Sequence, residues 1–180
     1  RLFLFGAYEH LTRGLPSPNT ISTTAAAQLG IAPALLATAP SVQHAQFANI
    51  RADWQISAKH QFFARLNYFR NEYPFNTAVG GIFALDAASD FKDRAYIAGG
   101  QLLSTFSPTL LNELRFSDPY RNEKHVANAL NGPGPVITVS GVATFNGSNA
   151  VGDVFAEKVP SLNDNLTFVK GGHTLKVGGG

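Results

Sequence analysis

Residues 46–70 read QFANIRADWQISAKHQFFARLNYFR, and two alternating runs within this stretch decide the fold class. The first run alternates apolar and polar residues around Ile50 and Trp54, and the second does so around Leu66. A short polar segment, residues 57–60, separates the runs. Two runs of period two around such a break are typical of a β-hairpin with one apolar face. The fold therefore depends on which apolar medium that face contacts.

The composition leaves two all-β classes open. The chain has 180 residues, of which 14% are charged and 11% are aromatic, whereas about 25% charged residues is usual for soluble proteins. No stretch supplies the roughly 18 consecutive apolar residues of a transmembrane helix. Low charge and many aromatics fit a membrane β-barrel, and composition alone fits a soluble β-sandwich as well. The net charge of +2 and the lack of a basic run predict no nucleic-acid partner.

The order of the connections favours the barrel. Strand patterns are joined alternately by short turns and by long loops, which we predict at residues 11–45, 71–92 and 118–160. In an up-and-down meander, every second connection lies at the same end. Short periplasmic turns and long extracellular loops are the layout of outer-membrane barrels, whereas the Greek-key crossings of a sandwich do not sort loops in this way. The sequence therefore predicts an all-β, antiparallel up-and-down meander that forms part of an outer-membrane β-barrel.

Aromatic residues on the predicted outward faces form two groups. One group is expected near the short turns and the other near the long loops, as two interfacial girdles require. The first group comprises Trp54, Phe62, Phe106 and Phe168, and the second comprises Tyr68, Tyr96 and Phe116.

Three local features add expectations to this outline. The Ala-rich residues 24–39 favour a short helix that Pro33 interrupts. Residues 137–145 predict one extra strand inside the third loop. Asp164 falls on the same face as Leu166, and a bare carboxylate facing lipid is costly. We therefore expect either a β-bulge that turns Asp164 inward or a position above the hydrocarbon.

Four segments resemble the barrel of TonB-dependent outer-membrane receptors, and most closely the Oar-like branch that carries a carboxypeptidase-regulatory-like domain. The segments are LFLFGAYEHL (2–11), ADWQISAKHQFFARLNYF (52–69), TFSPTLLNELRFS (105–117) and SLNDNLTFVKGGHTLKVG (161–178). The likeness spans nearly all of the chain. It implies a barrel of about 22 strands, closed by a plug, that takes up a scarce substrate with energy passed on by TonB.

The resemblance also sets the expected domain and partners. We expect residues 1–180 to be a partial barrel domain of about seven strands, with no plug, no TonB box and no signal peptide. The expected partners are outer-membrane lipid, TonB through a plug domain absent from this chain, and an unknown small-molecule, glycan or peptide substrate. A passive porin-like or structural outer-membrane barrel is the alternative, and a membrane-embedded barrel enzyme is a third class.

Six polar residues on the inward side of the strands are the candidate functional residues. They are predicted to face the lumen, where they either contact substrate directly or solvate the lumen and pair across strands. These residues are Arg51, Asp53, Arg65, Asn67, Glu113 and Arg115. The five His residues lack metal-ligand spacing and no G-x-S-x-G segment occurs, so we expect no enzyme activity, no metal and no cofactor.

Overall fold

The computed structural model describes residues 1–180, which fold mainly into antiparallel strands. One large sheet has the order β1-β2-β3-β4-β5-β9-β10, with β8 also paired to β5, and β6 and β7 form a separate hairpin. Every pairing between these strands is antiparallel, so the predicted all-β meander is confirmed. The strands are β1 (Leu2–Gly14), β2 (Val42–Gln55), β3 (His60–Thr77), β4 (Ser89–Ser107), β5 (Leu110–Ala127), β6 (Ile137–Val139), β7 (Ala143–Phe145), β8 (Val154–Lys158), β9 (Ser161–Lys170) and β10 (His173–Gly179).

β8 and β9 form one strand position that is interrupted at Pro160. β9 pairs with the first half of β5 and β8 pairs with its second half, between Tyr120 and Lys124. Pro160 has no backbone N–H and cannot donate to the ladder, which explains a break at this place. The large sheet therefore has seven strand positions, as the sequence predicted. Its outermost strands, β1 and β10, pair on one side only, so the sheet is open.

The connections are sorted by length as predicted. Residues 56–59, 108–109 and 171–172 form the short turns, and residues 15–41, 78–88 and 128–153 form the long loops. Each long loop is shorter than the predicted ranges 11–45, 71–92 and 118–160, because the flanking strands continue further. The added ends of these strands carry polar residues on both faces, so they lack the alternation that marks a strand in the sequence.

The long loops contain their own small elements. Helix α1 (Thr23–Leu29) begins after Ser22, whose Oγ accepts a hydrogen bond from Ala25 N at 3.3 Å. Gly30, with a φ of 72°, caps the end of this helix, and a 3₁₀ turn (Pro33–Leu36) follows. The helix therefore ends at Gly30 and not, as predicted, at Pro33. A second 3₁₀ turn spans Leu85–Ala87. No helix is long and apolar enough to cross a membrane.

The extra strand predicted at residues 137–145 is wrong in detail. This segment is the hairpin of β6 and β7, in which Ile137 pairs with Phe145. Gly141 adopts a φ of 70° at the reversal, a backbone conformation that glycine accommodates without strain. The Gly in the middle of the run therefore marks a turn and not a strand interior.

The buried apolar cluster lies among the long loops and not on the sheet. It contains Ile21, Ala26, Ile31, Ala84 and Ala143. In contrast, every residue of β1 is exposed, and large apolar side chains on the other strands are exposed as well. An apolar sheet face without a protein layer over it is what a strand facing lipid presents.

The strand register arranges the outward side chains in cross-strand rows. One row joins Leu4, Ala52, Ala64, Gly100, Phe116 and Leu162. A row nearer the long loops joins Tyr8, Ala48, Tyr68, Tyr96 and Tyr120, and thus holds four of the five tyrosines. Phe116 was predicted in this group, but it lies opposite Gly100, two rows nearer the short turns, because β5 continues to Ala127.

The register also gives the strand tilt. Gln55 in β2 and Asn165 in β9 lie on one cross-strand row. The centre of the nearest short turn is about two to three residues beyond Gln55 but about six to seven residues beyond Asn165. This stagger is about one residue per strand, which for a rise of ~3.4 Å and a strand spacing of ~4.8 Å gives a tilt of about 35°. From Leu110 to Tyr120 the lipid-facing side of β5, which also carries Asn112 and Asp118, spans about 28 Å along the barrel axis, close to the ~25 Å apolar band of outer-membrane barrels.

Asp164 meets neither expectation, since it forms no β-bulge and lies within the span of β5 from Leu110 to Tyr120 and not above the hydrocarbon. Its register partner is Leu114 and no irregularity interrupts the pairing of β5 with β9, so Asp164 stays on the apolar face. Its Oδ1 accepts a hydrogen bond from Asn112 Nδ2 at 2.6 Å. The carboxylate is therefore held by a neighbouring amide on the same face, which reduces the cost of its position.

We predict that Gly100→Ala destabilises the sheet. A Cβ at this position would lie 2.6 Å from the Phe63 carbonyl oxygen and 2.7 Å from Cε1 of Phe116. Overpacking of this kind costs about 1–3 kcal/mol. Urea unfolding in detergent micelles, followed by the fluorescence of the single Trp54, measures the loss. Gly172→Ala is the control, since its Cβ meets nothing within 4 Å; equal midpoints for the two variants would contradict the packing.

Candidate functional site

The six candidate residues share the face of the sheet that is opposite the apolar band. Arg51 lies directly across from Arg65, and Asn67 lies across from Asn49. Arg115 is opposite Gln101, which is opposite Phe63. Because directly opposed residues point to the same side, the register gathers all six on one face. Contact of these residues with a substrate remains a prediction.

Most of the charges on this inward face are neutralised within the sheet. Arg51 donates from Nε and Nη2 to the carboxylate of Asp53, each at 2.7 Å, and its guanidinium lies 4.6 Å from the centroid of the Phe63 ring. Glu113 and Arg115 form a second ion pair two residues apart on β5. Asn67 accepts a hydrogen bond from the Asn49 amide. These contacts orient the polar side chains and leave little uncompensated charge.

Arg65 is the exception among the six. It is exposed and forms no salt bridge, and the one charged residue opposite it is Arg51, which Asp53 already neutralises. Gly99 lies on its other side and carries no side chain that would fill the neighbouring space. A hollow of about 220 Å³ results, and its lining includes Arg65, Gln101, Arg115, Ser117, Ser161 and Asn163. A free guanidinium beside hydroxyl and amide groups is suited to a polar or anionic group.

An apolar groove lies on the same inward face, nearer the long loops. It has a volume of about 380 Å³, and the rings of Phe47 and Phe69 in its wall are 4.9 Å apart. Ala95 lies beside Phe69 and Glu9 lies beside Phe47, while Ala7, two residues from Glu9 on the same face, also lines the groove. The inward face thus combines charged and aromatic surface, although the sequence analysis selected only its polar residues.

A charge cluster that was not predicted from the sequence lies at the loop end of the inward face. Asp93 is only 3% exposed and receives a hydrogen bond from Nη2 of Arg121 at 2.9 Å. Arg121 also pairs with Glu123 at 2.6 Å. Arg121 and Glu123 fall within the predicted loop 118–160, where no strand alternation assigned them to a face. The pairing of β4 with β5 reveals the cluster.

A larger pocket lies between the second and third long loops. It has a volume of about 510 Å³. Thr77, Phe83, Thr138, Ser140, Asn149 and Asp153 are among its lining residues. Backbone hydrogen bonds join the two loops at 2.8 Å, from Thr144 N to Ile82 O, and at 2.9 Å, from Ala84 N to Thr144 O. The pocket is therefore a built feature of the loop end and not a gap between separate loops.

Asp86 is the main side-chain link between these loops. It is 8% exposed, its Oδ2 accepts a hydrogen bond from Asn146 N at 3.0 Å, and its carbonyl oxygen accepts one from Gly132 N at 3.1 Å. Asn131 Nδ2 donates to the same carbonyl at 3.1 Å. No group of three His, Asp or Glu side chains is placed to hold a metal ion. The arrangement offers shape and hydrogen bonds to a ligand at the mouth of the sheet.

The assignment of faces predicts opposite environments for two neighbouring residues. Because the chain has no Cys, single Arg65→Cys and Leu66→Cys variants each carry one site for a nitroxide label. We expect the label at residue 65 to be relaxed by a water-soluble nickel chelate and the label at residue 66 to be relaxed by oxygen dissolved in lipid. Electron paramagnetic resonance of the protein in liposomes measures both effects. Equal accessibility at the two positions would refute the two-faced sheet.

A second prediction concerns the link made by Asp86. We expect Asp86→Ala to loosen residues 128–153, because it removes the acceptor for Asn146 N and leaves that amide without its side-chain partner. Cleavage by chymotrypsin at Leu130 and Phe145 should become several times faster, with the strands unaffected. Asn149→Ala is the matched control, since Asn149 is exposed in the same loop. Similar cleavage rates in both variants would argue against the link.

The model of the family described as "Outer membrane beta barrel domain" matches residues 7–180. No curated protein and no solved structure gives a significant match. The family match covers nearly the whole chain, agrees with the antiparallel meander, and places the protein in the outer membrane. The chain belongs to the outer membrane β-barrel domain family.

Proposed function

We propose that this chain is part of the barrel of a TonB-dependent outer-membrane receptor, which binds a substrate at the long loops and passes it through a gated lumen. The observation that carries the proposal is the pocket between residues 78–88 and 128–153, at the end of the polar sheet face. The resemblance of four segments to the barrels of such receptors, and to the Oar-like branch in particular, supports the same function.

The arrangement of the loops supports capture of a ligand before passage. Loops that only bordered an open pore would need no core of their own, whereas these loops bury Ile21, Ala26 and Ala143 together. The linked loops hold their pocket in place, and a preformed pocket binds a ligand without first ordering its walls. A barrel that takes up a scarce substrate needs such a site at its outer mouth.

The inward face supports passage of a polar substrate. Its ion pairs are satisfied within the sheet, and the free guanidinium of Arg65 provides one uncompensated charge beside a hollow of about 220 Å³. We propose a small-molecule, glycan or peptide substrate that carries a polar or anionic group. Energy would come from TonB through a plug domain. Binding and passage require no covalent chemistry, so the proposed protein is not an enzyme.

Conductance distinguishes this proposal from a passive porin-like barrel. The complete protein, purified from outer membranes, is inserted into a planar lipid bilayer. A plugged receptor should show almost no ion conductance, and moderate urea that displaces the plug but leaves the barrel folded should open it reversibly. A channel that conducts at once in the absence of urea would overturn active uptake and support the passive alternative.

A further inference from the structure

Four cations occupy the lipid-facing side of the sheet just beyond the tyrosine row. Arg70 in β3 lies directly opposite Arg94 in β4, and Lys92 in β4 lies directly opposite Lys124 in β5. Each is an even number of residues from a tyrosine of the row on its own strand, so all four point to the same side as the tyrosines. We call these four residues the cationic patch.

The protein offsets only part of the charge of this patch. Arg94, Lys92 and Lys124 are exposed and form no salt bridge, while Arg70 pairs with Glu72 at 2.5 Å. Glu72 lies directly opposite Lys92 as well as beside Arg70, so one carboxylate is shared by two cations, and Arg94 and Lys124 have no acidic partner across the strands. Asp90 on the same face accepts a hydrogen bond from Phe75 N at 3.1 Å. The four cations and these two carboxylates therefore leave a net positive charge on this part of the sheet.

The pairing itself is unfavourable without a counterion. Like charges directly opposite each other on neighbouring strands destabilise a sheet, and the patch contains two such pairs side by side. An anion placed between the opposed cations converts both repulsions into attractions. The geometry therefore calls for a ligand with several negative charges spaced along the sheet.

The height of the patch indicates where that ligand lies. Arg70 is two residues beyond Tyr68 and Lys124 is four residues beyond Tyr120. With a rise of ~3.4 Å per residue and a tilt of about 35°, these cations lie about 6 to 11 Å beyond the tyrosines along the membrane normal. Because a tyrosine girdle marks the boundary between hydrocarbon and headgroups, the patch lies among the headgroups.

We propose that the cationic patch binds the phosphate groups of lipopolysaccharide in the outer leaflet of the membrane. The long loops mark the external side of the sheet, so the patch meets the outer leaflet. Arg94 offers a planar fork that donates two parallel hydrogen bonds to one phosphate, and Lys92 and Lys124 add point charges. The neighbouring tyrosines contact the upper ends of the acyl chains. This role is independent of whether the barrel transports actively or passively.

The test measures binding of fluorescent lipopolysaccharide to the purified full chain in neutral detergent micelles. In the triple variant Lys92→Gln, Arg94→Gln and Lys124→Gln, affinity should fall about fivefold per charge removed, on the order of 100-fold in total. The variant Lys92→Arg, Arg94→Lys and Lys124→Arg should keep most of the affinity. The charge-matched control Lys59→Gln, Lys170→Gln and Lys176→Gln changes cations in or near the short turns. Its affinity for lipopolysaccharide should stay within about twofold of that of the original chain, because those positions lie at the other end of the sheet.

Three results would overturn the proposal. One is equal loss of affinity in the triple variant and in its charge-matched control. Another is full competition by millimolar inorganic phosphate, which would indicate a small-anion site. The third is unchanged binding of dephosphorylated lipopolysaccharide by the original chain, and this comparison decides the matter even if the triple variant does not fold. Trp54 fluorescence and chymotrypsin resistance show whether each variant is folded.

Discussion

Backbone hydrogen bonding inside a medium without water is the constraint on which this structure depends. A strand that faces lipid has no water to satisfy its N–H and C=O groups, so each group must find a partner in the neighbouring strand. Of the 116 backbone hydrogen bonds, 88 lie within the helices and strands. Antiparallel neighbours can be joined by short turns at one end of the sheet. Irregular backbone then lies in the long loops at the other end. Sorted connections are therefore a consequence of the medium, and they separate a membrane sheet from a soluble one.

The same constraint divides the side chains into two chemistries. Between the short turns and the tyrosine row, the lipid side of the sheet carries small and large apolar residues and two carboxylates. Asp164 is bound by Asn112, and Asp118 lies 3.7 Å from Nζ of Lys158. On the other side, ion pairs such as Arg51–Asp53 form along single strands and keep charged groups solvated and oriented. The loops then supply what the sheet lacks, which is a small core made from side chains that contact only protein.

The hairpin at residues 46–70 was predictable because its two faces differ in polarity at every step. The observed strands β2 and β3 contain it, with the turn where the polar break lies. The ends of the strands near the loops were not predictable, since both faces are polar there: Arg70 and Asn71 are neighbours in β3 and point to opposite sides, yet neither is apolar. Without contrast between faces, a strand has the same sequence pattern as a loop.

Contacts that join distant parts of the chain set the other limit. Asp86 holds Asn146 across the two loops, and Asp93 holds Arg121 across two strands. Neither pair has a signature in local spacing, because register and loop packing decide which residues meet. The six inward candidates were found because they lie on short, strongly alternating segments, whereas the loop pocket and the cationic patch depend on register over several strands. In this sheet, alternation identifies which face a residue occupies, and register identifies its neighbours; a binding surface requires both.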